Sequence, residues 1–155
     1  MNFELKDIVD TAGATVGLVI ATSIFMQLLT TKAIALFDRY RELTMEYRST
    51  QEKPQRNENL RAQIGLYRRR CHLIQMALAS LAYAEFIFLA TILLSSASLI
   101  FKQATWLKIA GSLCMLAGLL AIGLGVLFEL KENFRGRDAI ESETADLSEF
   151  SGQSR

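Results

Sequence analysis

The sequence predicts an all-α membrane protein: three transmembrane helices, the first two extended into a cytoplasmic antiparallel coiled-coil hairpin. Three observations carry this. Long charge-free runs interrupt the 155-residue chain, the apolar residues between the first two runs keep a seven-residue beat, and the basic residues crowd into one connecting segment.

The first span is placed at about 9–31. From Thr11 to Thr31 there are 21 residues without a charge, and about 20 apolar residues suffice to cross a ~30 Å hydrocarbon core. The preceding "MNFELKD" holds one lysine against two acids rather than a basic leader region. No small-x-small cleavage site follows the apolar run, so the span is expected to be a retained anchor.

The arm, residues 32–72, is polar yet helical in pattern. Thr22, Met26, Leu29, Ala33, Leu36, Tyr40, Leu43 and Tyr47 are spaced alternately by four and three. Leu60, Ile64, Tyr67, Cys71, Ile74, Leu78 and Leu81 repeat the spacing on the way back. Between them lies "STQEKPQRNEN", a turn composition that contains the chain's only proline, Pro54. Two helices with a 3.5-residue repeat and a short turn pack as an antiparallel coiled coil. Such a hairpin would project ~28 Å from the membrane at 1.5 Å per residue.

Ten of the 17 Lys and Arg residues lie between Lys32 and Arg70. Only Lys6 precedes the first span, and only Lys102 and Lys108 separate the second from the third. Basic residues favour the cytoplasmic side, so the arm and the C-terminal tail are expected inside and the N-terminus outside. Five acids interleave with the ten basic residues of the arm, which argues against nucleic-acid binding. Membrane lipids are the expected contact for some of those bases. Whether the arm docks a partner or only connects two spans stays open at this level.

The second span, about 73–101, is a 29-residue run broken only by Glu85. Glu85 continues the seam of the returning arm, and Phe88, Ile92 and Ser95 carry it further. It lies ~18 Å along the helix from the cytoplasmic edge. An ionised carboxylate at that depth is costly unless it faces a bundle interior or water. No Lys, Arg or His stands at comparable depth in the other spans, whereas Thr15, Thr22, Ser23 and Ser112 do. Three readings follow: a neutral carboxyl hydrogen-bonded to a hydroxyl or to another subunit, a proton or cation pathway in an oligomer, or contact with a bound cofactor or partner.

The third span is placed at about 107–129, where "KIAGSLCMLAGLLAIGLGVLFEL" (108–130) is apolar all round. Gly111, Cys114, Gly118, Ala121 and Gly125 fall on one stripe of small residues. Small residues let helix backbones approach closely in lipid. The stripe is therefore expected to be a helix-packing face, against a neighbouring span or against a second copy.

Residues 1–132 thus make one membrane domain. Residues 133–155 are acidic and Ser-rich and are expected to be disordered. Two cysteines make no disulfide framework, and no His or Cys spacing resembles a metal site. His72, the sole histidine, has nothing to pair with and is expected to be structural. No cofactor is implied.

Three stretches carry a resemblance: "KAIALFDRYREL" after the first span, "RRRCHLI" entering the second and "LFELKE" closing the third. Together they resemble the bacterial membrane family catalogued as domain of unknown function 2721, over roughly residues 8 to 132. The resemblance implies three spans, a polar helical segment between the first two, and a bacterial source; the expected location is the bacterial inner membrane. It implies no activity, cofactor or catalytic residue. The chain lacks the family's expected proline in the first span, and Glu85 is not part of the pattern. The most specific piece, Asp38-Arg39-x-Arg41, places Asp38 with Arg41 and Arg39 with Glu42 three apart on a helix. Asp38 is expected to bridge to Arg68 or Arg69 where the hairpin leaves the membrane.

No nucleophile–base set, phosphate loop or metal cluster can be assembled from these motifs. The expected role is therefore non-enzymatic: an interaction, assembly or accessory subunit, homo-oligomeric or part of a membrane complex. The alternative is a homo-oligomeric ion or proton channel with Glu85 near its pore.

Overall fold

The computed structural model describes the backbone of residues 2–49, 54–101 and 105–152, and side chains within 13–49, 57–101 (Leu99 excepted) and 105–136. Three helices account for it: α1 (Asn2–Ser49), α2 (Pro54–Ile100) and α3 (Thr105–Gly152). Proline opens α2, where a first-turn residue needs no amide hydrogen. The connections 50–53 and 102–104 lie outside the described residues.

The chain divides into two compact units, Met1–Thr30 with Ala77–Val126, and Thr31–Met76 with Leu127–Arg155. The dividing points fall within a few residues of where the charge-free runs end at Thr31, begin at Leu73 and end at Phe128.

The first unit holds the apolar parts of all three helices. Thr15, Thr22 and Leu29 are buried on α1, and Ala77, Leu81, Ala84, Phe88, Thr91 and Ser98 on α2. Most of the rest is uncovered. In their most apolar stretches α1, α2 and α3 bury only 17%, 28% and 11% of their residues. Phe86, Leu93, Leu113 and Leu120 are among the large side chains left exposed. An apolar surface of this extent would drive association in water, whereas hydrocarbon solvates it. Each helix is long and apolar enough to span a bilayer.

The hydroxyls agree with a dry surrounding. Thr22, Thr30, Thr91, Ser96, Ser98 and Ser112 each donate to a carbonyl three or four residues earlier on their own helix. Such back-bonding satisfies a hydroxyl without water.

The second unit buries Ala33, Leu36 and Leu43 of α1 with Leu60, Tyr67, Cys71, Leu73 and Ile74 of α2. All but Leu73 belong to the two seven-residue seams expected for the arm. The unit also contains the part of α3 from Leu127 on, whose Glu129 and Glu132 find their counter-charges on α1 and α2.

Where disorder is expected from Asn133, α3 instead continues to Gly152. The segment from Asn133 to Gly152 holds no proline, and its Ala, Glu and Leu residues favour the helix at little cost.

Candidate functional site

Two polar clusters stand out, one in each unit. The first is Glu85 of α2 with Ser23 of α1. Ser23 Oγ donates to Glu85 Oε1 at 2.6 Å. Ser23 differs from the back-bonded hydroxyls of the spans: its proton goes to another helix. Glu85 is half-buried and Ser23 is exposed. Of the hydroxyls expected near Glu85, Thr22 lies buried and donates to Leu18 O at 2.7 Å, and Ser112 donates to Lys108 O at 3.1 Å.

The second cluster is one that the sequence motifs do not assemble. Glu132 of α3 is fully buried and is gripped from two sides. Arg70 Nε of α2 donates to its Oε1 at 2.8 Å, and Lys32 Nζ of α1 pairs with its Oε2. Lys32 also reaches Glu129 Oε1 at 2.7 Å and donates to Asn133 Oδ1 at 2.6 Å. Asn133 Nδ2 in turn donates to Glu129 Oε1 at 3.2 Å. Two cations and two anions from three helices therefore balance in one knot.

The packing around Arg70 serves the same end. Its guanidinium carbon sits 5.2 Å from the centre of the Tyr67 ring, within cation–π range. Gly136 lies close by, and an added Cβ there would stand 3.1 Å from Arg70 Nη2. Glycine at 136 leaves room for the guanidinium to lie along α3.

Lys32 stands one residue beyond the end of the first charge-free run. Burial opposes its charged form, but the hydrogen bonds and charges of Glu129 and Glu132 outweigh that, and its pKa is raised above 10.5. A raised lysine pKa contributes stability below the ordinary value and loses it only as pH rises through the shifted one. Lys32 thus keeps its charge through the neutral range. Beside it, burial pushes the thiol of Cys71 up, with the Arg70 charge opposing. Cys71 and Cys114 are both free.

The small-residue stripe of α3 packs within the subunit against α2. A Cβ on Gly118 would meet Phe88 Cε1 at 2.5 Å, one on Gly125 would meet Leu81 at 3.2 Å, and one on Gly111 would meet Ser95 Oγ at 3.7 Å. Cys114 and Ala121, between them, are half-buried.

The exit charges are arranged otherwise than expected. Arg39 Nη1 donates to Glu42 Oε2 at 3.1 Å along α1. Asp38, Arg41, Arg68 and Arg69 are exposed, and no ion pair among the described residues joins Asp38 to Arg68 or Arg69. The arginine of the "RRR" run that crosses to another helix is Arg70, and its acid is on α3.

Two signals in the sequence point to the knot. Gly111, Gly118 and Gly125 are seven apart, and one more heptad arrives at Glu132. Lys32, Arg70, Glu129 and Glu132 all lie within four residues of the ends of the charge-free runs, so equal depth brings them level.

The three stretches that carry the family resemblance each supply part of this knot: Lys32 opens "KAIALFDRYREL", Arg70 belongs to "RRRCHLI", and Glu129 and Glu132 belong to "LFELKE". No curated protein and no solved structure matches the chain. A family model described as "Protein of unknown function (DUF2721)" matches residues 12–141, a stretch that contains every residue of the knot, and the chain belongs to that family.

Proposed function

We propose that this multi-pass membrane protein is a non-enzymatic interaction or assembly subunit of a bacterial inner membrane, working through its cytoplasmic arm. The observation that carries the reading is the knot at Glu132. It ties α1, α2 and α3 together where their apolar stretches end, and the polar parts of α1 and α2 continue beyond it. A rigid base under a mixed-charge helical pair suits presentation of a surface. The same charged groups bond one another, which leaves them poorly suited to proton transfer or nucleophilic attack.

In this reading the two seams of the arm, centred on Leu36, Leu43, Leu60 and Tyr67, pack as an antiparallel coiled coil. The distribution of Lys and Arg supports an arm and a C-terminus in the cytoplasm and an N-terminus outside. Protease added to inside-out vesicles is expected to cut near Pro54, and protease added to intact spheroplasts is not. Cleavage from the outer side would reverse the orientation. Deleting residues 36–67 is expected to release a co-purifying partner or to lower the oligomeric state in mild detergent. An unchanged assembly would remove the arm from the interaction.

The alternative, a homo-oligomeric channel, is favoured by one observation: the Ser23–Glu85 pair is half-open to the surround at mid-membrane depth. On that reading, purified protein in liposomes conducts ions in a pH-dependent way, and Glu85→Gln abolishes the flux. Wild-type protein that carries no flux, or a Glu85→Gln variant that carries as much as wild type, excludes it.

A further inference from the structure

We infer that the exposed bases Arg68, Arg69, Lys131 and Arg135 of the second unit bind anionic phospholipid headgroups. The inference rests on the membrane-spanning reading and is independent of what the arm does.

It begins with a charge count at the level of the knot. Within eight residues outward of the charge-free runs, at 32–39, 65–72 and 129–136, there are seven Lys and Arg residues and three acids. Glu129 and Glu132 are held by Lys32 and Arg70, Asp38 is exposed, and Arg39 pairs with Glu42. The remaining four bases, Arg68, Arg69, Lys131 and Arg135, are exposed. His72, also exposed, is another titratable side chain nearby on α2. The knot thus takes up two of the three acids and, outside the Arg39–Glu42 pair, leaves four exposed bases against one exposed acid.

Depth assigns that surface to headgroups. Along a helix at 1.5 Å per residue, Arg69 lies ~6 Å before Leu73 and Lys131 ~4.5 Å past Phe128, where the charge-free runs meet the interface. The polar zone of each leaflet is roughly 5–8 Å thick. Arg68 stands ~1.5 Å further out than Arg69, and Arg135 about one helical turn further out than Lys131.

The neighbouring side chains distinguish a lipid from a soluble anion. Leu127, Leu130 and Phe134 are exposed on α3, interleaved with Lys131 and Arg135. Apolar side chains among bases fit a surface that offers acyl chains beside phosphates. An inorganic phosphate would use the bases alone.

The test uses the full chain, purified in neutral detergent and stripped of native lipid. Short-chain phosphatidylglycerol, phosphatidylcholine of the same chain length and free glycerol 3-phosphate are each titrated, with bound species counted by native mass spectrometry. Phosphatidylglycerol is expected to bind tightest, and the preference is expected to weaken with salt. In Arg68→Gln/Arg69→Gln/Lys131→Gln/Arg135→Gln it should fall by about fivefold for each side chain removed, from roughly 1 kcal/mol per base at the surface. A charge-keeping variant, Arg68→Lys/Arg69→Lys/Arg135→Lys, is expected to retain it. Equal binding of the two lipids by the wild-type chain overturns the inference, whether or not the variants fold. Glycerol 3-phosphate binding as tightly as the lipid also overturns it, in favour of a soluble anion.

Discussion

Replacing Glu132 with alanine is expected to destabilise the protein by about 3–5 kcal/mol, the cost of breaking a buried ion pair and leaving the half-buried Arg70 without its counter-charge. Glu132 is fully buried, and among the described ion pairs it alone touches both Lys32 and Arg70. Its loss takes from Arg70, over the Tyr67 ring, the carboxylate it donates to, while Lys32 keeps Glu129 and Asn133. Lys32→Met should therefore cost less than Glu132→Ala, since Arg70 then still holds Glu132. Removing all four charges together, as Lys32→Met, Arg70→Met, Glu129→Leu and Glu132→Leu, should restore much of the stability, because apolar replacements carry no desolvation penalty. Reversible unfolding in mixed micelles, followed by helical ellipticity, measures each variant. A single Glu132→Ala shift below about 1 kcal/mol would falsify the closed knot, since that is the range of surface pairs.

The second large effect is expected at Gly118. A Cβ there would stand 2.5 Å from Phe88 Cε1, closer than two carbons can approach, and Phe88 is itself fully buried. Gly118→Leu should cost about 1–3 kcal/mol by overpacking. Gly123, on the same helix, has nothing within 4 Å of its Cβ position. Gly123→Leu is therefore expected to leave stability nearly unchanged, and it separates sterics from any general effect of glycine. Adding Phe88→Ala to Gly118→Leu should recover part of the loss, and a double-mutant cycle reads the coupling. Additive losses would place the two residues apart.

The apolar stretches are plain from composition, because a charge-free run of 20 residues has few other solvents than lipid. The packing stripe is equally plain, because closely approaching helices need small residues, and Gly111, Gly118 and Gly125 all meet α2. Ser23 is nameable as a partner of Glu85 on depth, although depth alone does not separate it from Thr22 or Ser112. What the spacing of apolar residues alone does not show is the knot. Reading the arm as two helices sends Asp38 toward Arg68 or Arg69 and leaves Glu132 in no element. The apolar spacing ends at Gly125, and an acid continuing an apolar seam is invisible to a search for apolar residues. The extent of α3 is hidden for a related reason: acidic, serine-containing sequence reads as solvated chain, although nothing in it forbids a helix.

The order in which the knot's members are synthesised has its own consequence. Lys32 and Arg70 leave the ribosome before either Glu129 or Glu132 exists, so the nascent chain first presents two cations that nothing from α3 can yet neutralise. The charge balance of the knot is therefore complete only once the "LFELKE" stretch has been made.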